Sequence, residues 1–298
     1  MDAYQIPRLA SRYMHHDMIE KYADLPEFPH LRTRLLHIFL QKGGIPSVMG
    51  NELYALVTSL LQLGLDTHDR VDNDSRGLDD FRKRAMQLKV LAGDYFSSRF
   101  YYLLSQAEQI DLVKRLSSAV CEVNRLKMNM YVKMRRLQLS AEEYLHHMVK
   151  IKSQLFLGFS HLMEGLYQKY WPAILKGFTR CEIIAGELEQ LSAESSKGTV
   201  NYGESWAYWY LLAKANTEDK QKLTDGVHLT CFRTMTDKYG LRQKLLDMLE
   251  QQVNELIETI EQFHNGGLAK ELVSELRQIG EKFQRLVSAS TVPENIMR

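Results

Sequence analysis

Cysteine, excess charge and long apolar runs are all scarce in this chain, and each scarcity excludes a class of function. The three cysteines are far apart, so they cannot form a closely paired zinc or redox motif, and we expect reduced thiols. The 38 Lys and Arg residues balance 37 Asp and Glu, which argues against nucleic acid or an anionic membrane as the main partner. No run approaches the roughly 20 apolar residues of a membrane-spanning helix, and no signal peptide is evident. We therefore expect a soluble, cytoplasmic protein without a transmembrane segment.

Strand patterns and familiar enzyme motifs are missing as well. Helical periodicity recurs in nearly every segment, and only 6 prolines interrupt it. No glycine-rich phosphate loop, nucleophile elbow or HExxH segment occurs, which excludes dinucleotide-binding, P-loop, hydrolase and zincin proteins. We predict an all-α fold, a helical bundle forming a single domain over residues 1–298.

Several helix boundaries can be predicted from local signals. The apolar face containing Leu35 and Phe39 ends at Gly43-Gly44, and a further helix starts near Asn51. Ser140 and Glu143 have the spacing of a capping box, which predicts consecutive helices over about 110–134 and 140–168. Residues 192–203 form the best candidate for a surface loop. Apolar residues at 3-4 spacing on both sides of HNGG, from Leu246 to Leu286, predict a C-terminal helical hairpin over about 240–288.

The helix that starts near Asn51 carries an acidic segment at its end. With about 100° per residue, Asp66, Asp69 and Asn73 share one face, while His68 falls on the apolar side. Two carboxylates are few for a Mg²⁺ site, and a solvated acidic helix end is the simpler interpretation when the segment is considered by itself.

The wider sequence around this segment resembles the trans-prenyltransferases. Their first aspartate-rich motif has the form His-Asp-Asp-x-x-Asp, followed by Arg-Arg-Gly and a helix with V-L-A-G-D-Y. The segment here begins with His68 and Asp69, but Arg70 and Asn73 replace the second and third motif aspartates. Arg76-Gly77 and then Val90-Leu91-Ala92-Gly93-Asp94-Tyr95 follow in the same order. The Lys-Arg pair expected after Gly43-Gly44 is absent, and the region 206–216 has no second acidic motif.

A preserved scaffold with broken acidic motifs is similar to component I, the noncatalytic subunit family of two-component heptaprenyl diphosphate synthases. The resemblance is best over residues 51–156. It implies an isoprenoid-synthase fold, no catalytic, cofactor-binding or metal-binding residue in this chain, and a heterodimer with a catalytic component II. That partner is expected to hold Mg²⁺ and to elongate farnesyl diphosphate with isopentenyl diphosphate for menaquinone side chains. The positions expected to face the partner or its isoprenoid diphosphate substrates are Asp66, His68, Asp69, Asn73, Arg76, Gly93, Asp94 and Tyr95.

Some roles and two other functions remain open at this point. Gly93 and Gly64 are expected to allow close helix approach, and Asp94 either pairs internally or contacts a ligand. The chain could instead be a self-sufficient prenyltransferase that uses Asp66 and Asp69 in unusual roles. It could also be a helical scaffold protein that inherited the fold and works through its C-terminal hairpin.

Overall fold

The computed structural model describes residues 4–22, 24–43, 48–71, 79–192, 202–225, 229–263, 267–274 and 276–277. Within these ranges the chain forms the twelve α-helices named below, two short 3₁₀ turns, a further helical segment over 267–274 and no strand, which confirms the all-α prediction. None of the described helices has both the length and the apolar character needed to cross a membrane. The helices are α1 Ile6–Met14, α2 Asp17–Tyr22, α3 His30–Lys42, α4 Val48–Asp69, α5 Asp80–Gln106, α6 Ile110–Arg135, α7 Ala141–Leu157, α8 Gly165–Ser192, α9 Trp206–Lys214, α10 Thr217–Thr224, α11 Leu229–Lys238 and α12 Leu241–Glu261.

The predicted helix boundaries are largely confirmed, with two corrections. α3 ends at Gly43, and the Ser140–Glu143 capping box forms with both of its hydrogen bonds at 3.1 Å. α4 begins at Val48, a little before the predicted start. The helix predicted over 140–168 is shorter, because α7 ends at Leu157 and a 3₁₀ turn precedes α8. Gly165 begins α8 with φ of 55°, a left-handed conformation that favours glycine at this position.

The chain divides into two compact units, residues 1–123 with 154–172 and residues 124–153 with 173–298. The first unit is built around α4, which packs against α1, α3 and α5. Its residues 55–67 are buried without interruption, polar side chains included. A central helix buried on all sides differs from the one-sided helix that the apolar pattern predicts. The polar residues tolerate burial because Thr58, Ser59 and Thr67 each donate a hydroxyl to a backbone carbonyl one turn earlier.

The second unit contains α9 to α12 and the adjoining parts of α6, α7 and α8. α12 buries an apolar stripe at 3-4 spacing, but the structure buries Leu245 where the sequence pattern predicted Leu246. Residues 267–274 are helical and bury Leu268 and Leu272, as predicted for the second arm of the hairpin. The predicted turn at 264–266, most of the predicted loop at 192–203, and Ile279, Phe283 and Leu286 lie outside the described residues.

Candidate functional site

The end of α4 and the middle of α5 bring most of the predicted site residues together in the first unit. Asp66 lies in the last turns of α4, with only 9% of its surface exposed, and its Oδ1 accepts a hydrogen bond of 2.9 Å from the Gln62 amide. The solvated helix end considered above is therefore wrong for Asp66. Asp69, the last residue of α4, is exposed and fits it. Asn73 and Arg76 lie outside the described residues.

His68 and Asp94 join α4 to α5. The distance between His68 Nε2 and Asp94 Oδ1 is 3.3 Å, and the two side chains are 35% and 67% exposed. Of the two roles considered for Asp94, the structure contains the internal pairing. An exposed pair of this kind is screened by solvent and contributes little to stability.

Two glycines allow the close packing of α4 and α5. A Cβ atom added to Gly93 would lie 2.7 Å from the His68 ring, and one added to Gly64 would lie 2.4 Å from Ser97 Oγ and 3.0 Å from the Gly93 carbonyl oxygen. At Gly64 the added atom would meet backbone atoms of α5, so a larger residue would push the helices apart. At Gly93 it would displace the His68 ring. The expectation that both glycines permit close helix approach is confirmed. The V-L-A-G-D-Y segment thus orients His68 through Gly93 and pairs it through Asp94.

Arg70 occupies the position of the second motif aspartate, immediately after α4. Its Nη1 donates to the Leu25 carbonyl oxygen at 3.0 Å and lies 3.4 Å from Asp24 Oδ2. The guanidinium is thereby held by the segment between α2 and α3. A fixed cation at this position repels a divalent metal ion that a carboxylate would attract. Across the described residues, no group of three or more His, Cys, Asp and Glu side chains is arranged to hold a metal ion.

The tyrosine of the V-L-A-G-D-Y segment contributes to a cluster that the sequence analysis missed. The Arg99 guanidinium carbon lies 4.4 Å from the centre of the Tyr95 ring, 5.8 Å from that of Tyr13 and 5.9 Å from that of Tyr102. Arg99 Nε is buried and has no hydrogen-bond partner among the described residues. Tyr95 and Arg99 are four residues apart on α5, and that spacing was the available signal. Tyr13 on α1 completes the cluster through packing alone.

The outer face of α5 is unusually apolar for an exposed helix. Four large side chains near the cluster are between 39% and 60% exposed, namely Val90, Leu91, Tyr101 and Tyr102. Arginine and tyrosine are enriched at the energetically important positions of protein interfaces. An exposed apolar face beside an arginine that is surrounded by tyrosine rings is therefore typical of a docking surface.

A second feature missed from sequence is a buried carboxylate in the second unit. Glu187 on α8 is 6% exposed, and its Oε1 accepts a hydrogen bond of 2.9 Å from the Trp206 backbone N–H at the start of α9. The Ala207 N–H also donates to this carboxylate. Burial raises the pKa of the Glu187 carboxyl from 4.5 to about 7, although these two hydrogen bonds oppose the increase. Glu187 lies on α8, before the region 206–216 that lacks an acidic cluster.

The same region holds a buried tyrosine. The Tyr144 hydroxyl on α7 donates to the Glu204 carbonyl oxygen in the 3₁₀ turn before α9. Burial is the main cause that raises the pKa of this phenol. Both Tyr144 and Glu187 therefore hold the chain that enters α9, which indicates a structural role.

The fold is that of the polyprenyl synthases. A geranylgeranyl pyrophosphate synthase from Lactobacillus brevis superimposes with a TM-score of 0.72 at 12% identity, covering 93% of this chain and 95% of that one. A decaprenyl diphosphate synthase from Rhodobacter capsulatus gives 0.63 at 15% identity, with coverage of 93% and 95%. A Caulobacter crescentus polyprenyl synthase, solved with calcium and isoprenyl diphosphate, gives 0.67 at 14% identity, with 92% of each chain covered. At these identities the similarity establishes the isoprenoid-synthase fold alone.

The family is established by sequence. The profile described as heptaprenyl diphosphate synthase (HEPPP synthase) subunit 1 matches residues 16–202, and the chain belongs to this family. Heptaprenyl diphosphate synthase component 1 of Geobacillus stearothermophilus is 40% identical over 74 residues, which are 25% of this chain. That alignment spans 31% of the relative's own length.

Proposed function

We propose that this chain is the noncatalytic subunit of a heterodimeric heptaprenyl diphosphate synthase. Its partner, a catalytic component II, holds Mg²⁺ and extends farnesyl diphosphate with isopentenyl diphosphate into the all-trans chain used for menaquinone. The complex works in the cytoplasm. Membership of the subunit 1 family supports this proposal, since a numbered subunit implies another one.

The observation that carries the noncatalytic role is the position of Arg70. Ionisation of an allylic diphosphate needs metal ions that neutralise the leaving diphosphate. At the motif position where a carboxylate would bind such an ion, this chain has a guanidinium held by Leu25 and Asp24. His68 is engaged with Asp94, and Asp66 accepts a hydrogen bond from Gln62. These interactions occupy the motif region with contacts inside the chain.

The outer face of α5 supports the heterodimer. Val90, Leu91, Tyr101 and Tyr102 would lose exposed apolar surface on docking, which is favourable at about 25 cal/mol per Å². Arg99 adjoins this face through the Tyr102 ring and would be matched by a carboxylate of the catalytic subunit. We propose this face as the surface that meets component II.

The decisive experiment measures product formation by this chain alone, by the catalytic synthase of the same organism alone, and by their mixture. Each sample receives farnesyl and isopentenyl diphosphates with Mg²⁺, and products are separated by length. Polyprenyl product from the mixture only is expected, and seven isoprene units would establish the heptaprenyl assignment. Turnover by this chain alone would instead establish the self-sufficient prenyltransferase. No effect on an otherwise active partner would favour the scaffold protein.

Asp69→Ala provides a sharper test of the noncatalytic role. Asp69 is exposed at the end of α4, so its removal should leave folding intact. If the partner holds the metal, the activity of the mixture should change by no more than about 0.4 kcal/mol of activation free energy, about twofold. Complete loss of activity, with folding and association intact by circular dichroism and gel filtration, would contradict the proposal.

A further inference from the structure

A cavity lies beside the first half of α6, apart from the α4–α5 site. Its volume is about 530 Å³, and it belongs wholly to the first unit. Pockets for small molecules are typically about 300–1,000 Å³, so this cavity has room for more than a single small ion. The lining residues are Asp111, Lys114, Arg115, Ser118 and Ala119 of α6, with Gln154 and Gly158 from the end of α7 and the turn after it.

The lining residues carry a net positive charge, because two cations face one carboxylate. Lys114 and Arg115 are both exposed, and neither forms an ion pair with any described residue. Asp111 is the one carboxylate among the lining residues. The Ser118 hydroxyl donates to the Lys114 carbonyl oxygen at 3.0 Å and so lies at the same wall.

His161 lies at one end of this cavity. One of its ring atoms, Nδ1, lies 2.9 Å from the carbonyl oxygen of Gly158, a lining residue. Burial lowers the pKa of His161, and the nearby Arg115 cation lowers it further. The field of Arg115 therefore reaches the end of the cavity formed by Gly158. An anion bound here would offset the repulsion between Lys114 and Arg115.

We propose that this cavity binds a phosphorylated polyanion through Lys114 and Arg115, with Ser118 and Gln154 as additional hydrogen-bonding groups. Phosphate oxygens suit these donors because charge-assisted hydrogen bonds to phosphate are short and strong. The two cations and the hydrogen-bonding groups of the wall contact the phosphate oxygens of such a ligand. This inference is independent of the proposed function, since it requires neither turnover nor a partner subunit.

The test is isothermal titration calorimetry, which measures binding of inorganic diphosphate to the chain without a partner. Saturable binding is expected, and the Lys114→Ala/Arg115→Ala double variant should bind at least about tenfold more weakly, equivalent to about 1.4 kcal/mol. The matched control is Arg82→Ala/Lys83→Ala, which removes two adjacent exposed cations from α5 and should bind like the wild type. Circular dichroism verifies that both variants are folded.

Two further titrations identify the recognised group. Orthophosphate should bind more weakly than diphosphate, because it presents fewer charged oxygens to the two cations. Farnesyl diphosphate should bind with the same dependence on Lys114 and Arg115 as inorganic diphosphate. The proposal is overturned if diphosphate does not bind, if both double variants weaken binding equally, or if only the prenylated ligand binds.

Discussion

Asp94 and Glu187 are both carboxylates that link two helices, but their surroundings are opposite. Asp94 is 67% exposed and pairs with His68, so water competes with the interaction. Glu187 is buried and accepts hydrogen bonds from the backbone at the start of α9. The exposed pair therefore adds little to stability, whereas the buried carboxylate makes stability dependent on pH. Substitutions at the two places should therefore have different consequences.

The largest effect is expected at Glu187. Its pKa of about 7 in the folded chain lies above the ordinary 4.5, so the folded state holds this proton more tightly than the unfolded state. The protonated Glu187 carboxyl contributes its full share to the free energy of unfolding below about pH 4.5. This share is lost as the pH rises to about 7. The full change is roughly 3 kcal/mol by the relation of 1.36 kcal/mol per pKa unit.

Urea denaturation between pH 5 and 8 measures this contribution. Glu187→Gln can still accept the hydrogen bonds from α9 but cannot ionise, so its free energy of unfolding should fall less over this range than that of the wild type. The exposed control is Glu189→Gln, also on α8, which should follow the wild type. Equal pH dependence of Glu187→Gln and wild type would refute the assignment.

Gly64→Ala should have the next largest effect, because the new Cβ would meet the Gly93 backbone and Ser97. Overpacking of this kind costs about 1–3 kcal/mol, partly offset by about 0.5–1 kcal/mol from the higher helix propensity of alanine. Thermal unfolding provides the measurement. Gly186→Ala is the matched control within a helix, since nothing lies within 4 Å of the added atom, and it should be neutral or stabilising. Equal stability changes for the two variants would contradict the close packing of α4 and α5.

Arg99→Ala tests whether the exposed face of α5 contributes to association with component II. Association with component II should weaken about tenfold, or 1.4 kcal/mol, because the interface loses an arginine at an apolar docking face. Surface plasmon resonance measures the dissociation constant, and Arg82→Ala on the same helix should leave it unchanged. If the unmodified pair associates and is active but Arg99→Ala associates normally, the docking face is wrong while the proposed function stands.

The smallest effect is expected for the His68–Asp94 pair. Asp94→Asn removes its charge, and the free energy of unfolding should change by less than about 0.5 kcal/mol, since exposed pairs contribute about 0–1 kcal/mol. Chemical denaturation at neutral pH measures this change. A loss above about 2 kcal/mol would mean that the pair stabilises the fold as strongly as a buried interaction.

Much of the fold could be predicted because helix signals are local. The end of α3 at Gly43 and the Ser140–Glu143 capping box depend on neighbouring residues, and both are present. The burial of α4 on all sides could not be predicted, because the spacing of apolar residues does not show how many helices surround a segment. The prediction that Leu246 of α12 is buried was wrong for a related reason. Leu245 and Leu246 both fit an apolar stripe, and packing buries Leu245.

The candidate site shows the same division. The order of two motifs pointed to Asp66, His68, Gly93, Asp94 and Tyr95. The structure brings His68 of α4 against Gly93 and Asp94 of α5. Arg99 was missed because Tyr13, one of its three aromatic neighbours, lies on α1, far from Arg99 in the sequence. Glu187 was missed because its partner, Trp206, lies 19 residues away in the sequence.

The sequence by itself determined the helical class, the family and the loss of motif carboxylates at Arg70 and Asn73, because these depend on residue identity and short-range order. Only the tertiary structure decided that Asp66 is buried, that Asp94 pairs with His68 and that the Glu187 proton is retained to near neutral pH. Burial and pairing arise between segments that are distant in sequence. The energy of a charge depends on this surrounding medium as much as on the residue that carries it.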